Sequence, residues 1–231
     1  MPEVKWSAVI FDFDGVIVDS EPLHYKAFIK VLRPLGLNFS YETYLRRYVG
    51  FDDRDSFREI LRDGGRNPKD FNLSELIEKK GNIFREIVEY ELSAFPGALE
   101  LVKLLAEKRL PLAIASGSYR EEIKAMLSIL KLIDYFPVIV AADDVTRSKP
   151  HPETYLKALK ELRRNYPDHP LDPSQCLVIE DTPSGIEAAR KAGLYILAVA
   201  HTHPIEQLRD ADMAIPTLLD LNIDSITPPG M

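Results

Sequence analysis

Short apolar runs alternate with helical periodicity along much of this chain, and that alternation predicts an α/β fold. Val4 to Phe11 is a β-rich apolar run that stops abruptly at Asp12-Phe13-Asp14-Gly15, the pattern of a buried strand delivering polar residues at its carboxyl end. Four more short apolar runs follow, at Leu112 to Ala115, Val138 to Ala141, Cys176 to Ile179 and Tyr195 to Val199, each separated from the next by a helical pattern. Strand and helix in alternation over residues 97–200 predict a parallel sheet with right-handed crossovers and helices on both faces, which the first strand joins.

Residues 18–93 read differently. Helical patterns at Tyr25 to Leu35, Tyr41 to Tyr48, Arg54 to Arg62 and Leu73 to Leu92 carry no convincing strand between them, so this stretch reads as a helical domain inserted into the α/β core. The core is then residues 1–17 and 94–231. Pro96-Gly97, directly before the amphipathic Ala98 to Lys108, marks the return to it. No internal repeat or low-complexity tract interrupts the chain, and Thr227 to Met231, with Pro228-Pro229-Gly230, reads as a loose tail.

Composition narrows the class. With 231 residues the chain buries about 72% of its unfolded surface by area scaling, enough for a core without disulfide staples. One cysteine, Cys176, has no internal partner and sits in an apolar run, which points to a reducing, cytoplasmic setting. No apolar run approaches the ~20 residues of a membrane span, and the charged N-terminus is unlike a signal peptide. Net charge is −7 and is spread evenly, with no clustered basic face to suit nucleic acid. A small anionic substrate held by one or two local cations remains compatible.

Chemistry-bearing motifs recur at the carboxyl ends of the strands. Asp12 and Asp14, two residues apart in extended chain, face one side while Phe13 points into packing, and Gly15 permits the turn away. Two carboxylates so close call for a cation or a shared proton. In Ser116-Gly117-Ser118, Ser118 with Glu121 fits a capping box and reads as a helix N-cap. Ser116 is the freer hydroxyl and, with the Gly117 N–H near a helix start, suits a phosphate oxygen. Lys149, in Ser148-Lys149-Pro150-His151-Pro152-Glu153, is kept extended by Pro150 and so can be aimed. In Glu180-Asp181-Thr182-Pro183, Thr182 reads as an N-cap and Pro183 as the first helical residue. Asp181 reads as a direct metal ligand, with Glu180 a secondary ligand or an orienting group. Oxygen ligands without clustered histidine or cysteine favour Mg²⁺ over zinc.

The set DFDGVIVDSEPLH, ASGS, KPHPE and EDTPSGIEAARKAG, in this order and spacing, resembles the haloacid dehalogenase-like hydrolase superfamily, most of all its β-phosphoglucomutase-like phosphatase branch. The likeness runs from residue 8 to about 215 and implies a Rossmann-like core with an inserted helical cap. It implies that Asp12 is the nucleophile forming an aspartyl-phosphate and that Asp14 is the acid and base. It also implies that Asp12, the Asp14 carbonyl and Asp181 hold Mg²⁺, and that Ser116, Gly117 and Lys149 grip the phosphoryl oxygens. At the usual carboxylate pKa of ~3.9, Asp12 would be ionised at neutral pH without help from a base. His24 matches a histidine near the active-site entrance of the branch. Val49-Gly50-Phe51-Asp52-Asp53-Arg54 resembles its specificity loop, but Asp53 stands where sugar phosphomutases carry an arginine. The expected activity is therefore a monomeric, Mg²⁺-dependent phosphatase for a small phosphate monoester such as a sugar phosphate. A sugar phosphomutase is the first alternative, and a phosphoryl-accepting signalling module the second.

Overall fold

The computed structural model describes residues 6–49, 51–226 and 228, and the chain divides into two compact units, Met1–Asp19 with Ser93–Met231, and Ser20–Leu92. The start of the predicted first strand at Val4, Gly50 of the loop and, apart from Pro228, the C-terminal tail lie outside the described residues.

The first unit is built on six strands: β1 (Ala8–Phe11), β2 (Leu112–Ala115), β3 (Val138–Val140), β4 (Cys176–Glu180), β5 (Tyr195–Val199) and β6 (Met213–Ile215). Every pairing is parallel and the order is β3-β2-β1-β4-β5-β6. This is a Rossmann-like α/β sheet, with one strand more than the apolar runs predict. The strand order reverses at β1, which pairs β2 on one side and β4 on the other, and a crevice at the carboxyl ends of strands around such a reversal is where α/β folds bind ligands.

Strand periodicity explains why the sheet is buried on both faces. Ala8, Ile10, Ala113, Ala115, Val138, Val140, Cys176 and Val178 share one core, with Tyr155, Ala158, Leu159 and Leu162 of α7 (Glu153–Asn165) and Ile186, Ala188 and Ala189 of α8 (Pro183–Lys191). The alternate residues Val9, Phe11, Leu112, Ile114, Leu177 and Ile179, also buried, face the other way. Each large side chain buried here contributes about 1.5–3 kcal/mol. Helices α5 (Ala98–Glu107) and α6 (Arg120–Ile129) complete the unit.

The second unit contains α1 (Glu21–Leu32), α2 (Tyr41–Arg47), α3 (Asp53–Asp63) and α4 (Leu73–Glu91). Their apolar stripes meet in a core of Phe28, Val31, Leu32, Tyr44, Tyr48, Phe57, Ile60 and Leu61. Ser40, Asp52 and Asn72 start α2, α3 and α4 by accepting the amides of Thr43, Asp55 and Glu75. Among the described residues, no helix is long and apolar enough to cross a membrane.

Candidate active site

The register of the sheet puts the chemistry together. Phe11 pairs with Ile179 and Ile114, so the next residues, Asp12 and Glu180, leave adjacent strands side by side, and the Asp12 N–H still donates to the Ile179 carbonyl at 2.9 Å. Gly15 then turns the chain at φ 81°. A Cβ there would lie 2.0 Å from Oδ2 of Asp181, so only glycine lets the loops after β1 and β4 approach this closely.

Lys149 is the hub. Its ammonium donates to Oδ1 of Asp12 at 2.8 Å and to Oε1 of Glu180 at 2.6 Å, and it lies 4.9 Å from the centre of the Tyr155 ring. The peptide between Lys149 and Pro150 is cis. Tyr155, on the buried face of α7, donates its hydroxyl to the same Glu180 oxygen at 2.9 Å. Oε2 of Glu180 accepts the amides of Asp181 and Thr182, each at 2.9 Å, and the Thr182 hydroxyl at 3.0 Å. Gly185 makes room for this carboxylate, since a Cβ there would stand 1.6 Å from Oε1. Thr182 also caps α8 through Gly185, with Pro183 at the first turn, as its sequence predicts.

Burial sets the ionisation of this cluster. Desolvation, with repulsion from Glu180 and Asp14 and only partial compensation by Lys149, pushes the Asp12 carboxyl up to about 7. The expectation that Asp12 is fully ionised at neutral pH without help is thus corrected: the strand end is too dry and too acidic. Burial also works against the Lys149 ammonium, but Asp12 and Glu180 outweigh it and hold the group well above its usual value. Glu180, equally buried, is drawn below the ordinary carboxylate range by Lys149 and its amide donors. Asp181 is pushed well up by burial and by the neighbouring acids.

These residues fit a hard cation. Asp12, Glu180 and Asp181 each offer a carboxylate oxygen within 4.8 Å of one another, all buried. Oδ1 of Asp181 is buried with no hydrogen-bond partner among the described residues, whereas both oxygens of Glu180 are already bonded. Of these three acids, Asp181 is the one with a buried oxygen not yet used in a hydrogen bond, while Glu180 holds the Lys149 ammonium through Oε1.

The loop after β2 holds Asp14. Ser118 donates its hydroxyl to Oδ2 of Asp14 at 2.6 Å, so reading it as an N-cap is overturned: α6 begins at Arg120, after Tyr119, which makes no side-chain cap. The helix starts one residue later than the S-x-x-E spacing assumes, and the Ser118 hydroxyl is turned to the Asp14 carboxylate, a strong acceptor. Ser116 is buried rather than free; its hydroxyl accepts the Ser118 amide at 2.9 Å and lies 3.4 Å from Oδ2 of Asp14. Gly117 is exposed, and a Cβ there would meet nothing within 4 Å, so packing does not demand a glycine.

His24 belongs to the helical unit. Its ring stacks on Phe84 at 4.0 Å and its Nδ1 lies 2.8 Å from the ammonium of Lys80, which also donates to Asp53 at 2.7 Å. Lys80 is fully buried and sits about equally far from the rings of Phe28 and Phe84, 5.1 and 5.0 Å from their centres. Burial and the adjacent ammonium hold His24 well below its usual pKa, so it is neutral. Sequence reasoning reads Ser118 only as a cap and passes over Tyr155, Lys80 and Thr202, the last of which bonds Asp181.

Comparison with known proteins gives this geometry its class. The family profile for haloacid dehalogenase-like hydrolases matches residues 9–199. A phosphorylated carbohydrates phosphatase of Thermotoga maritima is 33% identical over 201 residues, covering 84% of this chain and 86% of that protein. The fructose-1-phosphate phosphatase YqaB of Escherichia coli is 31% identical over 190 residues, covering 82% and 94%. The crystal structure of a putative β-phosphoglucomutase from Thermotoga maritima superposes with a TM-score of 0.74 at 29% identity, covering 90% of this chain and 93% of that one. The chain belongs to the haloacid dehalogenase-like hydrolase family, in its β-phosphoglucomutase-like branch. Within that family it is a phosphoric monoester hydrolase.

Proposed function

We propose that this enzyme hydrolyses a small phosphorylated sugar or a similar monoester through an aspartyl-phosphate on Asp12, with Mg²⁺ as its cofactor. The observation that carries the reading is the junction of Asp12, Lys149 and Asp181 where the strand order reverses, with Asp14 held beside it by Ser118. Asp12 attacks phosphorus while Asp14 protonates the departing alkoxide, so the bond from phosphorus to the ester oxygen breaks and no free alkoxide forms. Asp14 then takes a proton from water, the water oxygen bonds to phosphorus, and the Asp12–phosphorus bond breaks to release phosphate. Lys149, the Ser116 hydroxyl and the Gly117 N–H hold the phosphoryl oxygens. Held by Asp12, Asp181 and the Asp14 carbonyl, Mg²⁺ would supply positive charge that offsets repulsion between the acids and a phosphate dianion. In the helical unit, His24 is the residue assigned to substrate, as a neutral hydrogen-bonding group.

The substrate class rests on relatives named as phosphatases of phosphorylated carbohydrates and of fructose 1-phosphate. Transfer to a second sugar position, as in a phosphomutase, is disfavoured because Asp53 replaces the expected arginine and is already bonded to Lys80. The test is a panel of sugar phosphates with Mg²⁺ or with chelator, reading inorganic phosphate and isomerised sugar together. Phosphate release that needs Mg²⁺ and disappears in Asp12→Asn is expected; undiminished release by that variant rules out the covalent route.

A further inference from the structure

The segment after β5 reaches into the candidate metal site. The Thr202 hydroxyl donates to Oδ2 of Asp181, lies 3.4 Å from the Asp181 carbonyl oxygen, and has Nδ1 of His203 at 3.0 Å. Oδ2 is also wedged over Gly15, where a Cβ would stand 2.0 Å away. The other oxygen, Oδ1, is buried and bonded to nothing among the described residues. The two oxygens of one carboxylate are thus divided in use, one held by the Thr202 hydroxyl and the other buried without a hydrogen-bond partner among the described residues.

We propose that Thr202 is a positioning residue for the cation site, holding Asp181 so that it presents a single oxygen and thereby favouring Mg²⁺ over Ca²⁺. This rests on the proposed reading of a Mg²⁺-dependent enzyme. Mg²⁺ is small, keeps near-octahedral geometry and takes one oxygen per carboxylate, whereas Ca²⁺ accepts both oxygens of a carboxylate and a looser, larger shell. Rotating Asp181 to offer both oxygens requires breaking the Thr202 bond. Outer partners that orient a ligand typically change metal affinity by about 10- to 100-fold when removed.

Thr202 is exposed, so Thr202→Val is compatible with folding, and Thr202→Ser restores the hydroxyl. Mg²⁺ and Ca²⁺ affinities are measured directly by isothermal titration calorimetry on the unsubstituted protein and both variants. Thr202→Val should bind Mg²⁺ about tenfold more weakly while Ca²⁺ binding changes by less than about threefold, and Thr202→Ser should stay close to the unsubstituted protein. Unchanged Mg²⁺ affinity in Thr202→Val, or an equal loss for both ions, overturns the inference alone. Failure of the unsubstituted protein to bind Mg²⁺ overturns the cofactor reading and the inference with it.

Discussion

Glu180→Gln separates an orienting role from a ligand role. Oε1 of Glu180 accepts Lys149 and Tyr155, and Oε2 accepts two amides and a hydroxyl, so whichever position the new NH₂ takes, it meets donors. At the Oε2 position it faces two backbone N–H groups that cannot turn away. At the Oε1 position the Tyr155 hydroxyl can rotate to accept, and one conflict with Lys149 remains. That second arrangement is the less costly, and it leaves the buried ammonium with Asp12 as its nearest counter-charge. Removing one partner of a buried ion pair costs about 3–5 kcal/mol, and with Asp12 retained the loss falls at the lower end, about 3 kcal/mol. Trp6, the single tryptophan, is buried against Tyr195 with ring centres 5.0 Å apart, so its fluorescence during urea unfolding reports on the sheet unit. The experiment is run without divalent ions. Because Lys149 and the amides hold Glu180 below its ordinary value, the stability it confers is full above the unfolded carboxylate pKa and is lost as pH falls through the folded value. The gap between the two proteins should therefore be wide at pH 7 and narrow in acid below about 4.5. A difference under about 1 kcal/mol at pH 7 refutes the orienting role, because a residue acting only as a metal ligand leaves metal-free stability nearly unchanged.

Two further substitutions probe the other positions. Ser118→Ala removes the 2.6 Å bond to Asp14 and should lower kcat about tenfold with little change in KM, the loss expected for one charge-assisted hydrogen bond; steady-state phosphate release with kcat within twofold of the parent would sink the assignment. His24 stays neutral in the folded helical unit, so below its unfolded pKa of ~6.5 the unfolded chain binds the extra proton, and stability falls by up to about 1.4 kcal/mol per pH unit until the folded pKa is passed. His24→Gln should flatten that decline between pH 6.5 and 5 in urea unfolding followed by circular dichroism, and identical slopes in both proteins count against a buried neutral imidazole.

How far the sequence speaks depends on how local each signal is. Strands β1 to β5 are legible because a parallel strand covered on both faces is apolar at nearly every position. Strand β6 escapes notice: Met213–Ile215 is three residues long at the sheet edge, with Met213 exposed, so no apolar run announces it. The acids, Ser116 and Lys149 stand out because strand ends mark them. Ser118 is misread because its local S-x-x-E spacing fits a cap while its actual partner, Asp14, is 104 residues away. Tyr155 looks like any core aromatic on a helix, and its hydroxyl meets Glu180 across 25 residues. Lys80 looks like a solvated lysine, yet it reaches back 56 residues to His24. Contacts of that range follow from the fold and have no spacing rule of their own.

The charge balance at the strand ends links these parts. Among the described residues at the strand ends, three buried carboxylates, Asp12, Glu180 and Asp181, cluster beside one ammonium, that of Lys149, which pairs with Asp12 and Glu180. Glu180 is committed to that ammonium and to backbone amides, and so remains ionised; Asp12 and Asp181 bear the excess, and burial raises both. Under the proposed reaction, a cation bound among these acids would supply positive charge that favours the ionised form of Asp12, whose carboxyl burial raises to about 7. A phosphate dianion approaching before the cation binds would meet uncompensated negative charge. On that reading, the same burial that raises the Asp12 carboxyl would make its reactivity depend on the cation, while Glu180 holds Lys149 through its own hydrogen bond.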